Sequence, residues 1–449
     1  MRRLLLVTHR SIEQPGGPAA RWRAFTRYLP EYGWEVEVLS ATERAGASEF
    51  DARSSRAVAR RAAVTARLAR LCEPMFDLAG VRPDSLPLSM LWIPRGALLL
   101  RRRIERRAPD VVLATGPPMA GLIAAGVGVG GRVPLVMELR DLWAGNPAFD
   151  AGGRLLPAIE GRLLEKASAI VACTPEAVSD LRLRHPELGD RIVEISNGFD
   201  PEIRSIAMRQ IADNTNHTNP NENTNANADT NANENTNTDA DADADTYRDA
   251  ETDRAALTLL HSGTLTAVRP IAPLVQALED PGLVGSFRLV LHGYLSPASR
   301  AEVERATRES NVPIEVLPPC SWTEAVVRIA KADAGLITQA SGAGDETAIA
   351  SKIYEYLALE KPVLCLTDGG ASEALLHRLG ADQLCARLDA PETILAALMR
   401  LRDRRAVEPP SPERLEPYSR QVLAGRMAAL LEDVARAAPA NVSTIRSAA

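Results

Sequence analysis

A lysine and a glutamate three residues apart, Lys352 and Glu355, follow a glycine-bearing loop and open a short apolar pattern. Three residues is one helical turn, so both side chains share a helix face. The start of a helix presents unpaired N–H groups and the positive end of its dipole, which together receive an anion. Lys352 adds a full positive charge in a first turn where the dipole alone favours a carboxylate. An amine placed for phosphate and a carboxylate placed for ribose hydroxyls suit a nucleoside diphosphate. The same two residues also read as an ion pair on a surface helix. Spacing alone leaves both readings open.

The stretch from Ser341 to Leu366 must position that pair, and it reads as loop, helix and buried strand. Gly342, Gly344 and Asp345 open the loop, and Ser351 stands where an N-cap would. A helix over Lys352 to Leu359 turns Ile353, Tyr356 and Leu357 toward a core. Lys361 and Pro362 end it, and Val363, Leu364 and Cys365 form an apolar run short enough for a parallel strand. A second glycine-bearing loop, His261 to Pro270, follows a strand at Leu257 to Leu260 and holds Gly263, Thr264 and Arg269.

The chain opens in the same style. A strand at Leu4 to Thr8, the Gly16-Gly17 loop, a helix from Ala19 to about Leu29 and a strand at Gly33 to Ser40 make the first unit of a doubly wound sheet. Strands at Asp110 to Thr115 and Pro134 to Met137 come next, and Glu138 to Trp143 leaves the carboxyl end of the latter. Ligands of open α/β sheets bind at those ends, so Arg140 and Asp141 stand where function is expected, unless they only fix a loop. Ala169 to Cys173 is a further strand, after which Thr174 caps a helix beginning at Pro175. In the second half, strands fall at Phe287 to Leu291, Ile314 to Leu317 and Ala334 to Ile337. Helices fall near 298–309, 322–331, 371–379 and 391–403, with an amphipathic one from Tyr418 to about Ala435.

The stretch Ser351-Lys352-Ile353-Tyr354-Glu355-Tyr356-Leu357-Ala358-Leu359-Glu360-Lys361-Pro362-Val363 resembles the donor-site segment of the family 4 glycosyltransferases, retaining enzymes of the GT-B fold. Other similarities run along most of the chain outside residues 202 to 255. The resemblance implies α/β architecture of the GT-B kind, two Rossmann-like doubly wound domains facing a central cleft. It implies a donor site of Gly16, Gly17, Gly263, Thr264, Arg269, Ser351, Lys352 and Glu355, with Arg269 on the pyrophosphate and a nucleobase near Pro318 to Trp322. It also implies that the last helix crosses back onto the N-terminal domain. The strand ending in Gly116-Pro117-Pro118, with Arg140, Asp141 and Trp143 after it, is similar to a bacterial subgroup that decorates cell-surface polysaccharides and lipid-linked sugars. Asn197-Gly198-Phe199-Asp200 resembles the turn closing the family's N-terminal domain. One departure stands out: many members carry a Glu where this chain has Thr347, beside Glu346.

With 449 residues, 45% hydrophobic and 24% charged, the chain has the composition of a soluble globular protein of two or three domains. Its five cysteines are scattered with no CxxC pair, which favours buried thiols in a reducing cytoplasm over disulfides or zinc. The apolar run at the start is too short for a signal peptide, and no run is long enough to span a membrane. The net charge of −6 is uneven: Asp213 to Asp253 carries eleven carboxylates against one arginine, leaving the remainder at about +4. From Asp213 to Thr246 the chain alternates Asn, Thr, Ala and Asp, too polar to bury, and reads as a disordered tether.

Arg53, Arg56, Arg60 and Arg67 recur at helical spacing beside an apolar stripe, and Arg101, Arg102, Arg103, Arg106 and Arg107 crowd a later helix. These are either a solvated face or a patch for anionic lipid or a pyrophosphate-linked acceptor. Nucleic acid is disfavoured, because aromatic residues are not interleaved and no nucleic-acid module is recognisable.

The domains expected are 1–201, a linker with an insertion at 202–255, 256–410, a returning helix at 411–436 and a flexible tail at 437–449. The reading that follows is transfer of a sugar from a nucleotide sugar to a hydroxyl, on an acceptor that includes lipid-linked sugars as one class. It places Asp141, Arg269, Lys352 and Glu355 in catalysis, and Arg21, Arg140 and Asp141 at the acceptor. No metal or cofactor is expected, and the setting is cytoplasmic, with peripheral contact at the inner membrane face as one form of it. Two alternatives stand beside it: a nucleotide-sugar epimerase of the GT-B fold, and a non-catalytic nucleotide-sugar-binding subunit.

Overall fold

The computed structural model describes residues 1–13, 17–41, 88–146, 156–217, 256–339, 344, 346–403 and 407–437. Gly16, Ser341, Gly342, Asp345, the arginines from Arg53 to Arg67, most of the acidic tract and the tail beyond Ala437 lie outside the described residues.

Twelve described strands make two six-stranded sheets, parallel throughout. In the first, β1 (Arg2–Thr8), β2 (Trp34–Ser40), β3 (Val111–Gly116), β4 (Leu135–Leu139), β5 (Ala169–Ala172) and β6 (Ile192–Glu194) lie in the order β2-β1-β3-β4-β5-β6. In the second, β7 (Leu257–Ser262), β8 (Phe287–His292), β9 (Ile314–Leu317), β10 (Ala334–Gln339), β11 (Val363–Thr367) and β12 (Cys385–Ala386) lie in the order β12-β11-β10-β7-β8-β9. The order reverses between β1 and β3 and again between β7 and β10. Those two switch points open crevices at the carboxyl ends of the strands.

The continuous apolar runs exist because both faces of each sheet are covered. Leu5, Val7, Val112 and Ala114 point into one core of the first sheet, while Leu4, Leu6, Val111 and Leu113 point into the other. The second sheet repeats this, with Leu259, Leu289 and Leu336 on one face and Leu260, Val290 and Ile337 on the other. Thr174 Oγ1 accepts from the Ala177 N–H at 3.0 Å and caps the helix Pro175–Arg184, as the sequence places it.

Two connections tie the sheets. The helix Ile203–His217 packs Ile203 and Ala207 against Val326 and Ala358 of the second domain, and Arg204 donates to the Ala358 carbonyl at 2.6 Å. The chain then returns at its end. Phe199 N–H donates to the Tyr418 carbonyl at 3.1 Å, and Arg420 N–H to the Phe199 carbonyl at 2.8 Å. Gly198 permits that crossing, since a Cβ there would lie 1.9 Å from the Tyr418 carbonyl oxygen. The helix Arg420–Ala437 then sets Leu423, Met427 and Leu431 into the first domain's core beside Trp22 and Phe25. No helix among the described residues is long and apolar enough to cross a membrane.

Candidate active site

The helix Lys352–Ala358 lies between the two sheets' crevices and is buried almost all round. Tyr356 anchors it: its hydroxyl donates to the Leu260 carbonyl and accepts from the Ser262 N–H, each at 2.9 Å. Glu355 is only 4% exposed, so the pair with Lys352 is no surface ion pair. Lys352 Nζ meets Glu355 Oε2 at 2.5 Å, Trp322 Nε1 donates to Oε1 at 3.4 Å, and Arg420 stands 3.9 Å away. Burial alone would raise the Glu355 carboxyl, but Lys352 and then Arg420 hold it below the usual carboxylate range. The sequence places Ser351 as a capping side chain, and the structure corrects this. Its backbone is already helical, at φ −59° and ψ −22°, and its hydroxyl makes no capping bond. A cap needs extended backbone to swing the side-chain oxygen over the first turn.

Ser351, Lys352 and Glu355 line a cavity of about 500 Å³ between the domains, together with Gly263, Thr264 and Arg269 of the second glycine-bearing loop. Arg269 Nη1 donates to the Thr264 carbonyl at 3.0 Å, which curls the guanidinium over its own loop. Gly293 closes the neighbouring turn at φ +128°, where a Cβ would lie 2.1 Å from the Gly263 carbonyl oxygen. Tyr294, Pro319, Cys320 and Trp322 form the apolar and aromatic end of the cavity.

The opposite wall comes from the first sheet. Glu138, at the end of β4, is fully buried and accepts from Arg21 Nε at 3.0 Å, Trp22 Nε1 at 2.7 Å and Thr115 Oγ1 at 2.5 Å. Burial works against its charge, yet Arg21 and then Arg140 hold it below the usual range. Arg21 also donates to the Ser196 carbonyl and, at 2.9 Å, to that of Ile195, and packs over the Phe25 ring. Arg140 donates to the Gly116 carbonyl at 3.2 Å and to that of Pro117. Asp141 lines the cavity beyond it. Burial pushes the Asp141 carboxyl up, against Arg140 and against Arg269 reaching from the other domain. An acid of this kind, facing a cation across a cleft, is equipped to take a proton.

One of the remaining sequence candidates falls elsewhere. Glu346 is an exposed turn residue whose carbonyl accepts from the Ala371 N–H, while Gly17 begins the helix Gly17–Tyr28. Thr347 offers its carbonyl to Thr174 Oγ1 at 2.6 Å, which ties the two domains at the cleft edge. The structure adds to the cleft residues to which the sequence assigns no role in the site: Arg420, His261, His292, Gln339 and Asn197. Burial, and then Arg269, push the His261 imidazole down to about 4, so it is neutral at pH 7. His292 joins Ser262 Oγ and Cys320 Sγ, each at 3.1 Å. Arg420 had a chemical signal, a basic residue, but nothing in its position in the chain linked it to Glu355.

A larger hollow, about 700 Å³, lies at the amino ends of β4 and β5, and its charged lining residue, Lys166, donates to the Gly126 carbonyl. It lacks the cleft's convergence of acids and cations and sits at the wrong end of the strands for a ligand crevice. Among the described residues no group of three or more His, Cys, Asp or Glu side chains could hold a metal ion.

Two parallel sheets facing a cleft, with a helix bridging back from the chain's end, define the GT-B glycosyltransferase fold, and solved structures of that architecture match nearly the whole chain. The trehalose 6-phosphate synthase of Burkholderia multivorans is 17% identical, with 98% of this chain and 100% of that one covered and a TM-score of 0.62. The Anabaena protein HepE in complex with UDP is 12% identical over 96% and 100% of the two chains, with a TM-score of 0.60. A glycosyltransferase from Rickettsia africae is 11% identical over 96% and 98%, with a TM-score of 0.56. Residues 16–198 match the model of the glycosyl transferase 4-like domain. No curated protein matches the chain.

Proposed function

We propose that the cleft transfers a sugar from a nucleotide-sugar donor to a hydroxyl acceptor with retention of anomeric configuration, in the synthesis of cell-surface polysaccharide or lipid-linked glycan. The observation that carries this reading is the convergence of Arg269, Lys352 and the buried, ionised Glu355 on one wall with Asp141 on the other. In the reaction, the bond from the anomeric carbon to the diphosphate oxygen breaks and a bond to the acceptor oxygen forms. Negative charge grows on the leaving diphosphate, where Arg269 and Lys352 stabilise it. Glu355 receives the ribose hydroxyls, and Asp141 takes the acceptor's proton. Arg21 and Arg140 hold the wall from which Asp141 projects. HepE is crystallised with UDP, which makes uridine nucleotides the first donors to try.

The test is to incubate the purified full-length chain, in EDTA, with UDP-, GDP-, ADP- and dTDP-sugars, with and without simple glycoside acceptors. Slow release of nucleoside diphosphate, accelerated by an acceptor and yielding a product of unchanged anomeric configuration, is the expected result. Epimerised nucleotide sugar without acceptor would instead favour the epimerase, and binding without turnover a non-catalytic subunit. Turnover that required added magnesium or manganese would overturn the assignment of charge neutralisation to side chains.

The exposed arginines Arg101, Arg102, Arg106 and Arg107 of the helix Ile93–Arg107, with exposed Leu91 and Leu98 beside them, suit peripheral contact with an anionic membrane.

A further inference from the structure

Two polar side chains in the cleft are buried with an atom unmet. Gln339, at the end of β10, is 2% exposed, and its Oε1 has no hydrogen-bond partner. His261, near the end of the neighbouring strand β7, is 6% exposed, and its Nε2 has none. Both line the cavity, and their strands flank the switch point of the second sheet. A buried polar atom left without a partner costs about 1–3 kcal/mol, so such atoms mark places where something else completes them.

The chemistry of that partner follows from the two atoms. His261 Nδ1 faces the Leu336 carbonyl oxygen at 3.3 Å. A carbonyl only accepts, and the neutral tautomer that donates to it from Nδ1 leaves Nε2 a bare lone pair. The amide oxygen of Gln339 is likewise an acceptor only. The site therefore calls for hydrogen-bond donors. A diphosphate ionised at neutral pH offers acceptors and cannot satisfy either atom. The aromatic end that suits a base is built from Tyr294 and Trp322, not from these residues. What remains is a ring bearing hydroxyl groups, and with the ribose assigned to Glu355 that ring is the glycosyl one.

We infer that His261 and Gln339 are specificity residues that accept hydrogen bonds from the hydroxyls of the donor's glycosyl ring. The inference rests on the nucleotide-sugar reading above and adds to it the residues that read the sugar. Calorimetric titration separates sugar recognition from nucleotide recognition. The probes are UDP-glucose, UDP-galactose, UDP-N-acetylglucosamine, GDP-mannose, ADP-glucose and dTDP-rhamnose, each beside its free nucleoside diphosphate. His261→Asn keeps an N–H for the Leu336 carbonyl and removes the lone pair at Nε2, and Gln339→Met keeps the length and removes the acceptor.

Each variant should weaken the best-binding nucleotide sugar about fivefold and leave the matching free diphosphate within about twofold. Melting temperature identifies any variant that fails to fold, and the other then decides. Equal loss for both ligands, or no loss for the nucleotide sugar, would overturn the pair's role while the nucleotide site stood. If no probe binds the wild-type protein, the nucleotide-sugar reading itself fails, and the sugar-reading role falls with it.

Discussion

The two walls of the cleft carry similar residue types and treat them in opposite ways. On the N-terminal wall the charges are consumed by the protein. Glu138 has three side-chain donors, and Arg21 and Arg140 are locked to carbonyls. On the C-terminal wall Lys352 meets Glu355 but stays partly exposed to the cavity, and His261 and Gln339 each keep an unmet atom. Charge at a strand end thus does not itself mark a binding group. What marks it is hydrogen-bonding capacity that the fold leaves unfilled. Apart from Asp141, the charged groups of the first wall hold shape, and those of the second hold ligand.

The sharpest break in that comparison should come from Glu138→Ala. It strands the buried Arg21 guanidinium and deprives Trp22 and Thr115 of their acceptor, at a cost of about 4 kcal/mol by chemical denaturation. Because the folded-state carboxyl is held below its unfolded value, the stability it contributes is fully present above the ordinary carboxylate range and is lost as pH falls through the folded pKa. The gap between wild type and variant should accordingly be widest near neutral pH and shrink on acidification. A gap that widened toward acid would show that Glu138 is not held ionised. Nucleotide affinity per folded molecule should change little.

The opposite wall should give the opposite pattern. Lys352→Ala and Arg269→Ala should each slow donor turnover by roughly a hundredfold, about 3 kcal/mol of transition-state stabilisation, with melting temperature little changed in Arg269→Ala and lowered in Lys352→Ala, which takes the nearest cation from the buried Glu355. Wild-type rates in both would remove them from the donor site. Loss of stability matching the loss of rate in Arg269→Ala would make this wall structural too.

The smallest effect belongs to the connection between the walls. The helix Ile203–His217 belongs to the packed structure, so a deletion that spares it must begin at Thr218. Removing residues 218–245 should leave melting and turnover nearly unchanged, since closure entropy varies only slowly with the length of a connection, by well under about 1 kcal/mol per halving. It also strips acidic charge, so binding to acidic liposomes at low salt should tighten and fade as salt is added. Unchanged liposome binding would count against the membrane face, and lost turnover against a mere tether.

Much of this fold is legible in the chain because parallel strands covered on both faces read as unbroken apolar runs, as Leu4 to Val7 and Val363 to Leu366 do. Lys352 and Glu355 are legible because their pairing is local. Arg21 and Glu138 lie 117 residues apart, and no spacing rule reveals that one neutralises the other. Arg420 reaches Glu355 only because the chain returns across the cleft. His261 and Gln339 sit inside strands, where a polar residue resembles an interruption of the core, and only the cavity shows what they face. The helix Ile203–His217 is obscured because its apolar positions run straight into a polar tract. Ser351 shows the limit from the other side: the right residue type preceded a helix, but its backbone was already coiled.

The last of the described helices is a wall of the first domain. Leu423, Met427 and Leu431 complete a core that includes Leu4, Leu6, Trp22 and Phe25 from the first 25 residues. A ribosome adding about 5–20 residues per second needs on the order of tens of seconds to travel from the end of the first sheet to that helix. Through that interval the nascent N-terminal domain has its sheet in hand and one apolar face uncovered, and the acidic tract inserted before the second domain lengthens the wait. The order of synthesis and the order of packing therefore run against each other in this chain, and its first domain is finished only when its second is.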